Sequence, residues 1–140
     1  MLISSISQQA RAVKCYLEAF DGIEPSYNGD GYSAFPYIAE WYNGREHGYV
    51  VYLRNQDYTK QINIAFFEHR NSDSIHAVRW FQHTGINPPT IDSAEFGDVY
   101  KNKFDTSYAV DYGQAADMAH WIYDELESFW IECEAEKRLA

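Results

Sequence analysis

A chain of 140 residues is one ordinary domain (1–140), long enough to bury about two-thirds of the surface that its unfolded form exposes. Hydrophobic content of 46%, with 12 Tyr, 8 Phe and 4 Trp, excludes a disordered chain despite a net charge of −10. The charge is unevenly placed: Met1 to Phe104 carries 12 acidic against 9 basic residues, net −3, and Asp105 to Ala140 carries 9 against 2, net −7. Such a chain is repelled by phosphate backbones and anionic lipid, so neither nucleic acid nor membrane is an expected direct partner, and a basic protein or ribonucleoprotein surface is.

The N-terminal run MLISSISQQARAVK has too short an apolar stretch for a signal peptide, and no segment approaches the roughly 18 apolar residues that span a bilayer. A cytoplasmic protein is expected. Cys15 and Cys133 lie in helical patterns without CxxC or Cys/His spacing, which reads as two reduced, partly buried thiols.

Residues 3 to 20 predict the first helix. Ile3, Ile6, Ala10, Val13, Leu17 and Phe20 recur at steps of three and four, drawing one apolar stripe, with Ser4 or Ser5 placed to cap the start. Asp21-Gly22 ends it, and EPSYNGDGYS (24–33) collects enough turn chemistry for an exposed loop. Its GDG matches neither a phosphate-binding nor an EF-hand loop.

AFPYIAEWY (34–42) reads as a first strand with Pro36 marking an edge or an entry, and Asn43-Gly44 turns it into the clearest hairpin of the chain. In that hairpin, GYVVYLRNQDYTKQINIAFFE (48–68), alternation sets Tyr49, Val51, Leu53, Ile62, Ile64 and Phe66 on one face, which is core. Val50, Tyr52, Arg54, Asn63, Ala65 and Phe67 fall on the other, expected as a mixed aromatic surface open to a second layer or a partner. Ser74 to His83 fits two or three helical turns capped by Asp73, or a fourth strand, and the β-forming residues on both of its faces favour strand. Asn87-Pro88-Pro89-Thr90 stops it, residues 91–104 read as a long loop, and TSYAVD (106–111) as a short fifth strand.

From Gly113 to about Lys137, Ala115, Met118, Ala119, Ile122, Leu126, Phe129 and Cys133 form a continuous helical stripe. The remaining positions hold seven carboxylates, Asp117, Asp124, Glu125, Glu127, Glu132, Glu134 and Glu136, with almost no balancing cation, and also Trp121 and Trp130. A solvated helix face accounts for many such patterns. Aromatic rings on an acidic face also suit a dock for a basic protein, or a surface that imitates a phosphate backbone. The candidate contact residues are Asp117, Trp121, Asp124, Glu127, Trp130 and Glu134. Of these Asp117, Asp124, Glu127 and Glu134, at spacings of seven, three and seven, share a side of the helix.

No catalytic signature stands out. The densest ionisable group, Glu68, His69, Asp73 and His76, lacks metal-ligand spacing, and Glu40 with Glu68 is a bare pair of carboxylates near strand ends. Neither a GxSxG elbow nor a cysteine with a nearby base occurs. A non-enzymatic protein without metal or cofactor is expected.

The fold class predicted is α+β: an antiparallel meander of four or five strands, flanked on one face by the N-terminal and the long C-terminal helix. Its element order and acidity resemble the class I chaperones of type III secretion, which are small acidic dimers that carry an effector segment. FFEHRNSDSI (66–75) and DVYKNKFDTSYAVDYG (98–113) look like sequence of small acidic phage and mobile-element proteins, anti-CRISPR proteins among them. This second resemblance implies stoichiometric inhibition, in which carboxylates and aromatic rings occupy a basic surface of a bacterial nucleic-acid-handling defence complex. The first implies a chaperone, or by analogy an immunity protein, binding an effector or toxin. Monomer and homodimer are both compatible with the sequence.

Overall fold

The computed structural model describes residues 6–20, 37–42, 44, 46–54, 60–68, 74–83, 106–111 and 113–139. Helix α1 (Gln8–Ala19) precedes strands β1 (Tyr37–Tyr42), β2 (His47–Arg54), β3 (Lys60–Glu68), β4 (Ser74–His83) and β5 (Thr106–Asp111), and helix α2 (Ala115–Leu139) follows. The strands pair in sequence order, each antiparallel to the next, as one open five-stranded sheet. This is the α+β meander that periodicity predicts, and 74–83 is a strand. The readings made for 24–33, 55–59 and 91–104 lie outside the described residues. No helix among the described residues is long and apolar enough to cross a membrane.

Helix α1 begins later than its apolar stripe suggests. Ser7, in extended conformation, is the cap, and its hydroxyl accepts a hydrogen bond from the Ala10 amide at 3.1 Å. Ile6 stays outside the helix and still enters the core. Capping by a hydroxyl three residues ahead satisfies an amide that the first helical turn leaves unpaired. At the other end of the fold Gly113, at φ 87°, makes the short passage from β5 into α2. Its amide donates to Gln9 Oε1 at 3.2 Å, which ties the starts of the two helices together. Farther along, Phe20 meets the rings of His120 and Tyr123 at 5.0 and 4.9 Å, so the helices run side by side in the same direction.

Ala10, Val13 and Leu17 of α1 and Ala115, Met118, Ala119, Ile122, Leu126 and Phe129 of α2 close over one face of the sheet. Tyr49, Val51, Leu53, Ile62, Ile64, Phe66, Ile75, Ala77 and Val110 meet them from below. Each fully buried large side chain of this set contributes about 2 kcal/mol through removal of apolar surface from water.

The opposite sheet face is the one that alternation left to a second layer or a partner. It is not an open aromatic surface: Val50, Ala65 and Phe67 are buried with Trp41, Val78 and Trp80 in a second apolar cluster, and Gln61 and Asn63 are fully buried beside it. Every residue from Gln61 to Phe67 is buried, the pattern of a central strand covered on both faces. Gly48 makes this possible at one point. A Cβ there would lie 2.1 Å from the Phe66 carbonyl oxygen, and over the gap Trp41 stacks on Phe67 with centroids 5.4 Å apart. Polar residues at the other end of the β2–β3 pair form a chain: Arg54 Nε donates to Gln61 Oε1 across the strands at 2.8 Å, and Gln61 Nε2 donates to Asn63 Oδ1 along β3. The hydrogen bonds are what let two carboxamides sit in a buried layer.

Candidate interaction surface

The 25 residues of α2 extend about 37 Å, and its first half packs beside α1 while the rest reaches across the ends of β3 and β4. Six of its seven carboxylates, all but Glu132, divide into two sets. Glu125 pairs with Arg79 of β4, both side chains about one-fifth exposed, and the Lys60 ammonium of β3 donates a hydrogen bond to each oxygen of Glu136 at 2.7 Å. Arg79 also lies over the Phe81 ring at 5.0 Å, and Phe81 stacks on Phe129 at 6.1 Å, so charge and ring contacts fasten this stretch of the helix to the sheet together. The hydrogen bond to Glu136, with the nearby charges of Cys133 and Glu132 adding to it, raises the Lys60 pKa above its ordinary 10.5. Two of the seven carboxylates are thus balanced, which corrects the expectation of a helix nearly without counter-charges. Their cations come from strands 46 and 76 residues away, beyond the reach of a local reading of the helix.

The second set is Asp117, Asp124, Glu127 and Glu134. The first three are exposed and Glu134 is half-buried, and no cation among the described side chains lies within ion-pair distance of Asp117, Asp124 or Glu127. Ile131 sits among them, seven residues after Asp124 and four after Glu127, and is 58% exposed. An isolated exposed isoleucine is ordinary, but here it stands where its neighbours on the helix face are carboxylates. It was readable in advance as an apolar residue out of phase with the buried stripe.

Trp121 and Trp130 occupy the flanks and not the crest of this face. Trp121 lies flat on Tyr108 of β5, centroids 5.0 Å apart and planes within 7°, and Trp130 packs against the core; both are half-buried. Of the six candidate residues, the structure therefore places Asp117, Asp124, Glu127 and Glu134 on the outer side, with the two rings as its borders.

The remaining ionisable groups do not converge. Glu40 and Glu68 lie on β1 and β3, two strand spacings and two residues apart, about 12 Å between Cα atoms. Glu68 and His76 point to opposite faces of the sheet, because Phe67 is the residue that pairs with His76. His69 and Asp73 lie outside the described residues. Glu40, three-quarters exposed, stands 4.0 Å from His47 on the edge strand. Among the described residues no three His, Cys, Asp or Glu side chains group as a metal site would. On the other sheet face, burial raises the Tyr52 pKa above its ordinary 10.0; Arg54, 5.2 Å over the ring, lowers it in part, and Tyr37, stacked on Tyr52 at 5.7 Å, adds to the rise.

Comparison of this chain with protein-family models, with curated proteins and with solved structures finds no match.

Proposed function

We propose that this protein acts without catalysis, as a stoichiometric inhibitor that binds a basic protein surface through the outer side of α2. The target class that fits is a bacterial nucleic-acid-handling complex, whose phosphate-binding groove is lined with lysine and arginine. One observation carries the reading: Asp117, Asp124, Glu127 and Glu134 share one side of a helix around an exposed Ile131, and no ion pair among the described side chains engages the first three. Carboxylates so placed attract a cationic surface over a Debye length, about 8 Å at physiological salt, and speed encounter more than they strengthen the final complex. An apolar side chain inside a charged rim is the arrangement in which a small buried centre supplies most of the affinity.

The test is capture by the immobilised protein from bacterial lysate, with nuclease treatment and a graded salt wash. A nucleic-acid-binding complex retained at low salt, released steeply as salt rises and displaced by added DNA or RNA is the expected result. Capture of one effector or toxin that resists salt would replace the reading with that of a chaperone or immunity protein.

A further inference from the structure

Among the described residues, strand β5 is the last of the sheet order and is paired on one side only, with β4. Tyr108 of this strand carries Trp121 of α2 flat against it. Asp117 lies one helical turn before Trp121, Asp124 about one turn after, and both are exposed. Other rings in the molecule carry their own cations: Lys14 over Tyr49 at 5.6 Å, Arg54 over Tyr52 at 5.2 Å and Arg79 over Phe81 at 5.0 Å. Among the described residues none lies over the Tyr108–Trp121 pair, although two carboxylates flank it.

We infer that β5 is a docking edge for an extended basic segment of a protein partner, which adds as a sixth strand and sets an arginine or lysine against Tyr108 and Trp121. The inference rests on the reading that α2 receives a basic protein, and specifies the form in which the cation arrives. A residue opposite Tyr108 on an added strand has its Cβ about 5 Å from that of Tyr108 and points to the same side of the sheet, which is the side of α2. An arginine there covers the ring pair and directs its guanidinium toward Asp117 and Asp124. Its neighbours in sequence point to the far face, so the segment recognised carries its cations at alternate positions. A second copy of this chain is a poor occupant. Its own β5, TSYAVD, has no lysine or arginine and would bring acidic helices together.

The experiment uses the full chain and a labelled peptide alternating arginine and threonine, in three forms: unmodified, N-methylated along one edge, and N-methylated along the other. Anisotropy at low salt measures binding, and hydrogen exchange follows the β5 amides. Expected are binding of the unmodified peptide, at least a tenfold loss for one methylated form with the other retained, and slowed exchange in β5. Replacement of Tyr108 by leucine should weaken binding roughly threefold to thirtyfold, the range of a desolvated cation–π contact. Equal binding of both methylated forms, or unchanged β5 exchange, overturns strand addition. If that binding still disappears in D117K/D124K, the acidic-face reading stands without it. Failure of every form to bind, while a lysine-rich helical peptide binds wild type and not D124K/E127K, likewise overturns only the β5 inference; failure of both probes overturns both.

Discussion

The two sides of α2 carry the same chemistry to opposite ends. Toward the sheet, Glu125 and Glu136 meet Arg79 and Lys60, and the shielded Glu125–Arg79 pair fastens the helix. Away from it, Asp117, Asp124 and Glu127 meet no cation among the described side chains, and like charges on one helix face destabilise the fold slightly. A carboxylate whose removal would cost the fold is structural; one whose removal would leave the fold equal or better is free to serve as solvated surface or as a contact. The difference between these sides is thus measurable as a difference in sign.

The largest effect belongs to the inner side. Arg79→Ala strips Glu125 of a partner in a place where both side chains are mostly shielded, and should cost about 2 kcal/mol, the cost of removing a hydrogen bond to a charged group. The thermal midpoint should fall by about 6 °C for a chain of this length. A midpoint within a degree of wild type would mean that Glu125 is no more structural than the outer carboxylates, and the contrast would collapse. Reversal of two outer residues, D124K/E127K, should do the opposite. Its midpoint should equal or slightly exceed wild type, while association with the captured target slows about tenfold at low salt and loses much of its salt dependence. A smaller effect is expected for Ile131→Ala: faster dissociation by a fewfold with association unchanged, read from the same binding traces. Unchanged dissociation would leave the outer face as a steering surface only.

What was readable beforehand follows from where each pattern's cause lies. The hairpin of β2 and β3 and the stripe of α2 were legible because burial of one face imposes its period directly on neighbouring residues. The strand at 74–83 was less so, since Ile75 and Ala77 enter the helix-covered core while Val78 and Trp80 enter the second cluster. A segment apolar on both faces loses the alternation that distinguishes strand from helix. The burial of the outer sheet face was legible only as one possibility, a face that a second layer or a partner could cover. Tyr52, Arg54, Gln61 and Asn63 have the composition of a solvated surface, and only the cross-strand register that aligns Arg54 with Gln61 shows how such residues satisfy one another. The candidate site was half readable: spacing put four carboxylates on one side, but the sheet cations that remove Glu125 and Glu136 from the account come from remote sequence.

Lys60 gives the finest version of the contrast. Its pair with Glu136 is exposed, so at neutral pH and moderate salt Lys60→Ala should leave the midpoint close to wild type. The hydrogen bond nevertheless raises the folded-state pKa of Lys60 above 10.5. A group whose pKa is raised on folding contributes stability that is fully present below its unfolded value and is lost as pH climbs through the folded one. Tyr52 acts with the same sign, because burial favours its neutral form and the unfolded chain ionises first. Midpoints followed from pH 8 to 11 should therefore decline for wild type, less steeply for Tyr52→Phe, and slightly less steeply for Lys60→Ala. D124K/E127K, which leaves Lys60 and Tyr52 in place, should keep the wild-type slope apart from the titration of its new lysines. If Lys60→Ala instead lowered the midpoint at pH 8 as far as Arg79→Ala does, the far end of α2 would be clamped by this pair, and exposure would be a poor guide to which carboxylates of the helix are structural.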